Sequence, residues 1–214
     1  MNESVFEQSL APEEIATRYA SLDLESDSID PATGQIVAIG IGLKDTVVDE
    51  QTIDVLTLGG ALGDERTMIR QAFERINEFD PNALVTYNGE AFDLEYLSKR
   101  IESLQFRQQP ELACRENHVD LFVSRKRSAD QPGVKWPSLA EVLDAHGLTV
   151  QPTIWKGEEL TDSLFGEQLA PEYLDAVAKD QAATVDELER VIHEYVVGDI
   201  EANLSLYETD ADRR

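Results

Sequence analysis

Apolar and polar residues alternate strictly through Ser21-Leu-Asp-Leu-Glu25, the pattern of a strand with one buried face. Gln35 to Leu43 is a nearly continuous apolar run, as in a strand covered on both faces, and Thr52 to Leu58 supplies a third strand. Short polar turns separate the three, which predicts an antiparallel meander. The period then changes. Ile69, Ala72, Phe73, Ile76 and Phe79 recur at helical spacing between about Asp64 and Phe79, and Asp80-Pro81 ends that helix. Ala83 to Tyr87 reads as a short strand, Asn88-Gly89 as a turn, Phe92 to Ser103 as a second helix and Val119 to Phe122 as a fifth strand. From Ser124 to about Ala183 the pattern gives turns and short helices, one started by Pro137-Ser138 and stopped at Gly147. A long helix from about Val185 to Glu208 closes the chain. The expected organisation is a polar lead-in over residues 1–18 with a short helix around Glu13 to Tyr19, one α/β domain over 19–208, and a frayed tail over 209–214.

Composition narrows the class. The 214 residues, 42% of them hydrophobic, suffice for one well-buried core and are few for two domains. No stretch reaches the apolar length of a membrane span, and the N-terminus lacks the basic start and apolar centre of a secretory signal, so the expectation is a cytoplasmic protein without a membrane partner. Cys114 is the sole cysteine, which excludes an internal disulfide and a zinc site of paired cysteines. His118, His146 and His193 are scattered. The charge is the outlier: 43 acidic against 18 basic residues give a formal net charge of −25. Such a surface repels itself unless salt screens it, and at molar salt the Debye length falls to roughly 3 Å. With twelve of the eighteen basic residues Arg, the profile resembles that of proteins from salt-accumulating halophiles. An acidic mesophilic enzyme and an acidic nucleic-acid mimic are the alternatives.

Three carboxylate motifs carry the candidate chemistry. Asp23 and Glu25 fall on one face of the first strand, about 7 Å apart, with Leu22 and Leu24 on the other, so two carboxylates can reach one divalent ion. Alone, such a pair is commonplace in so acidic a chain. In Tyr87-Asn-Gly-Glu-Ala-Phe-Asp93 a strand ends in a glycine turn and an aspartate opens the next helix, at the carboxyl end of a strand where ligands gather in α/β folds. A helix-capping role explains Asp93 equally well. In the last helix, Leu188, Val191, Ile192, Tyr195, Val196 and Leu206 form an apolar stripe that Asp199 and Asn203 interrupt at helical spacing. A carboxylate on a core-facing stripe is costly unless paired or bound to metal.

Taken in order, Asp-x-Glu, Tyr-Asn-Gly-x-x-Phe-Asp and Tyr-x-x-x-Asp resemble the three exonuclease motifs of the DEDD superfamily. The likeness runs from about residue 20 to 208 and is greatest to the exonuclease domain of family B DNA polymerases and to stand-alone ribonuclease H-like proteins. The tyrosine form of the third motif matches the polymerase-like branch, and His193 does not fit the register of the histidine branch. Ser26 follows Glu25 where the family often has threonine. A polymerase palm and fingers do not fit in 214 residues, so a stand-alone enzyme is expected.

The resemblance implies an α/β, ribonuclease H-like mixed sheet, a three-strand antiparallel meander followed by parallel strands, flanked by helices. It implies two Mg²⁺ or Mn²⁺ ions held by Asp23, Glu25, Asp93 and Asp199, which as oxygen-only ligands suit hard cations. It also implies 3′-to-5′ hydrolysis of nucleic acid from a single-stranded 3′ end, with single-stranded DNA the expected substrate. Tyr195 would aim the attacking water, because a phenol with a pKa near 10 is a poor base at neutral pH. Asn88 and Phe92 are candidates for positioning the terminal nucleotide. Arg125-Lys126-Arg127 with Lys135-Trp136, and Lys99-Arg100, are candidates for a strand-binding groove or for solvated helix faces. Competing readings are an RNA-directed or structure-specific nuclease, an inactive nucleic-acid-binding module, and an acidic interaction protein.

Overall fold

A computed structural model describes residues 5–59, 63–129 and 135–213. Strands β1 (Arg18–Ser26), β2 (Ile36–Asp45) and β3 (Glu50–Thr57) form the antiparallel meander, and β4 (Ala83–Thr86) and β5 (His118–Asp120) extend it in parallel, in the order β3-β2-β1-β4-β5. This is the mixed sheet expected of a ribonuclease H-like α/β fold. The parallel crossovers bring helices back over the sheet. Those helices are α1 (Glu65–Phe79) and α2 (Asp93–Ser103), whose Met68, Ile69, Ile76, Leu94 and Leu97 pack with Leu22 and Leu24 in one core. Asp64 caps α1, its side chain accepting from the Thr67 amide at 2.8 Å.

The opposite face is covered by α7 (Ala182–Asp212), a helix of 31 residues. It lies close because β2 presents glycines beneath it. A Cβ placed on Gly40 would come within 2.5 Å of the Val196 side chain, and one on Gly42 within 2.6 Å of Ile200. Between β5 and α7 the chain forms α3 (Leu121–Ala129), α4 (Leu139–Ala145), a small hairpin of β6 (Ile154–Trp155) and β7 (Glu158–Glu159), a short α5 (Asp162–Leu164), a π-turn over Phe165–Leu169, and α6 (Ala170–Ala178). Ser138 caps α4 in a reciprocal capping box with Glu141, and Gly147 follows it at φ +67°, as the sequence predicts. Trp155, Leu160, Phe165 and Tyr173 join Ile192 and Val196 in a core of their own against β2.

Several boundaries differ from the sequence expectation. The fifth strand ends at Asp120, because Leu121 and Phe122 turn inward as the first residues of α3. Among its described residues the N-terminal lead-in is helical only over Pro12–Glu14, and Tyr19 belongs to β1, its ring 4.5 Å from that of Tyr207. The C-terminus, expected to fray, continues α7 to Asp212. Asp210 is fully buried there in an ion pair with Arg125, whose guanidinium also donates to the Leu121 carbonyl at 2.7 Å. No helix among the described residues is long and apolar enough to cross a membrane.

Candidate active site

Odd-numbered residues of β1 face α7, so Asp23 and Glu25 point toward that helix while Leu22 and Leu24 fill the core beneath α1 and α2. Asp23 pairs with Gly40 in the β1–β2 register, and the absent side chain lets α7 bring Asp199 over the strand. Carboxylate oxygens of Asp23, Glu25 and Asp199 all lie within 4.8 Å of one another. The register slips between Glu25 and Ser26, so β1 bends as it leaves the site.

Asp93 arrives from the other face. It is the first residue of α2, buried, and its Oδ1 accepts from the Leu24 amide at 3.3 Å, between the two acids of the first motif. The turn before it is held by Asp120, which accepts from the amides of Asn88 at 2.8 Å, Glu90 at 3.0 Å and Phe122 at 3.0 Å. Asn88 takes φ +66°, and Gly89 leaves room for Thr86, whose side chain a Cβ there would press into.

These residues line a cavity of about 970 Å³ together with Asn88, Phe92, Phe122 and Trp136. Burial, then the charges of Asp93 and Asp199, raise the pKa of Asp23; burial, then Asp23 and Asp199, raise that of Glu25. Asp93 is pushed up to about 7, mainly by burial, against hydrogen bonds from the Leu24 amide and its own. Asp199 is also pushed up to about 7, by burial and then by Asp162 and Asp93. Every charged neighbour that shifts these four groups is another carboxylate. A hard divalent cation is the partner such a set lacks. Asn203, 1% exposed and lining the same cavity, adds an amide oxygen with no hydrogen-bond partner among the described residues.

Tyr195, one turn before Asp199, is half-buried, and its hydroxyl donates to Asp162 Oδ1 at 2.6 Å. Its pKa is raised by burial, then by Glu25, Asp199 and Asp162, so it stays a neutral phenol. Asp162 lies in the stretch of turns and short helices between Ser124 and Ala183. Its only signal was Thr161-Asp162, which reads as a helix cap and first-turn acid, and its partner is 33 residues away.

The basic runs, read as a strand-binding groove or as solvated helix faces, are neither at two points. Arg125 is enclosed against Asp210, and Arg100 makes a bidentate ion pair with Glu65 at 2.8 and 2.6 Å, both structural. Lys99 and Lys135 pair with Glu95 and Glu141. Lys126 stands over the exposed Trp136 ring, 4.2 Å from its centroid, at the cavity wall.

Residues 18–131 match the family model described as "DNA polymerase family B, exonuclease domain". The chain therefore belongs to the family of exonuclease domains of family B DNA polymerases. Among curated relatives it is similar to the DNA polymerase of Pyrococcus horikoshii, 29% identical over 136 residues, covering 59% of this chain and 10% of that protein. It is also similar to the DNA polymerase of Thermococcus aggregans, 38% identical over 73 residues, covering 33% and 4%. The chain thus spans a tenth or less of these relatives. The fold is shared with the family B DNA polymerase of the hyperthermophilic archaeon Pyrobaculum calidifontis, at TM-score 0.60 and 23% identity over 90% of this chain and 24% of that one.

Proposed function

We propose that this domain is a metal-dependent 3′-to-5′ exonuclease that removes nucleotides from a single-stranded end, with Asp23, Glu25, Asp93 and Asp199 holding two Mg²⁺ or Mn²⁺ ions. The observation that carries this reading is the meeting of Asp23, Glu25 and Asp199 within 4.8 Å, with no compensating base among the described residues, at the wall of a large cavity. When bound, paired divalent ions stabilise charge on both the attacking and the leaving oxygen of a phosphodiester displacement. Asp93, anchored on the Leu24 amide between the two acids of the first motif, fixes the entry of α2 against β1. Tyr195 remains protonated and orients the attacking water through its hydroxyl.

In the reaction the water oxygen bonds to phosphorus as the bond to the 3′ oxygen of the preceding sugar breaks. The water's proton leaves to solvent, and the departing oxygen takes one up. Asn88 and Phe92, which line the same cavity, position the terminal nucleotide. Trp136, exposed at the cavity and backed by the buried Phe122, offers an aromatic surface to unstacked bases, which favours a single strand over a duplex.

The test is incubation of the purified protein with 3′- and 5′-labelled single- and double-stranded DNA and RNA, with Mg²⁺ or Mn²⁺, at high KCl. Stepwise release of nucleotides from the 3′ end is expected, abolished by chelator. Absence of hydrolysis with every substrate and both metals overturns the reading in favour of a binding module.

A further inference from the structure

A single segment grips both ends of the Tyr195 side chain. Asp162 accepts its hydroxyl at 2.6 Å, and the Phe165 ring stacks on its ring at 5.6 Å between centroids and 27° between planes. Phe165 is itself fully buried. The segment is braced on both sides: Thr161 accepts from the amides of Leu164 and Phe165, and the Leu160 amide donates to the Thr153 carbonyl at 2.8 Å across the base of the β6–β7 hairpin. Asp162 is exposed and makes no ion pair among the described residues, so its contact with the phenol is not incidental to holding the fold.

A phenol has one proton to give and lone pairs with which to accept. If that proton faced the attacking water, it would compete with phosphorus for the lone pair the water needs. We propose that Asp162 is a positioning residue that captures the Tyr195 proton in a hydrogen bond, so that the phenolic oxygen can only accept from the attacking water and aims the water's lone pair at phosphorus. The inference rests on the exonuclease reading above. It assigns Asp162 no metal and no proton transfer: the tyrosine keeps its proton throughout, and the carboxylate acts only through it.

The test is a double-mutant cycle of Asp162 and Tyr195, followed by single-turnover rate, by Mn²⁺ affinity from calorimetry, and by the Tyr195 Cζ resonance of ¹³C-tyrosine-labelled protein without metal. Tyr195→Phe is expected to lower the rate by on the order of ten- to a hundredfold, and Asp162→Ala by a similar factor. In the Tyr195→Phe background, Asp162→Ala should change the rate less than about twofold. Asp162→Asn, whose amide oxygen still accepts, should stay within about threefold of wild type. Mn²⁺ affinity should weaken by less than about threefold in all three variants, the loss of one exposed charge beside the site and not of a ligand, and the Tyr195 resonance should move in Asp162→Ala but hold in Asp162→Asn.

Equal losses from Asp162→Ala in both backgrounds, or a tenfold weaker Mn²⁺ affinity in Asp162→Asn, would make Asp162 a metal ligand or a general electrostatic group and overturn the proposal. Should the wild-type protein hydrolyse nothing, the exonuclease reading falls on its own. The resonance then decides separately whether Asp162 holds the phenol, and no movement in Asp162→Ala overturns the clamp.

Discussion

Asp199→Asn should make the metal-free protein more stable while removing its activity. Burial and the charges of Asp162 and Asp93 raise the Asp199 pKa from 3.8 to about 7 in the folded chain. A rise of that size disfavours the charged form by about 4 kcal/mol at most, and solvent screening around the half-buried side chain reduces this to about 2 kcal/mol. The folded pKa lies above the unfolded one, so folding favours the protonated form. That contribution is fully present below about pH 3.8, is lost as pH rises toward 7, and above 7 the ionised carboxylate is a net cost. Asparagine imitates the protonated acid. Its advantage over aspartate should therefore grow across this window and level off above pH 7. At about 2 kcal/mol, a domain of this size should gain roughly 4–8 °C in melting temperature at pH 8, and about a third of that at pH 5. The assay is thermal melting in chelator at one fixed KCl concentration, repeated with Mn²⁺. The wild type should gain stability from the metal and the variant much less. An unchanged or lower melting temperature of the variant at pH 8 in chelator would refute the reasoning.

Asp23→Ala should lose several orders of magnitude in hydrolysis rate with a normal circular-dichroism spectrum, and near-wild-type turnover in purified protein would remove Asp23 from the metal assignment. Arg125→Ala strands the buried Asp210 and should cost about 3–5 kcal/mol in denaturant unfolding; a loss below 1 kcal/mol would mean the pair is solvated. Because 43 acids face 18 bases, melting temperature should rise from low to molar KCl, and a flat or falling curve would sink the halophile reading without touching the carboxylate site.

Periodicity along the chain determined the meander, the two helices that cross behind it and the long terminal helix, because apolar spacing reports which face of an element is buried. The motifs placed Asp23, Glu25, Asp93, Tyr195 and Asp199 on those elements, since strand and helix periods fix which side chains share a face. Tertiary structure alone decided the contacts between elements. Gly40 and Gly42 read as small members of an apolar run, and only the packing of α7 on β2 reveals that their missing side chains bring Asp199 to Asp23. Arg125 and Arg100 belong to basic runs that local sequence cannot tell from a strand-binding surface; burial against Asp210 and Glu65 assigns them to the scaffold. Asp162 reads as a helix-start acid. Its approach to Tyr195 depends on a hairpin, a cap and a buried Phe165 acting together, and such long-range geometry leaves no local period for a sequence to carry.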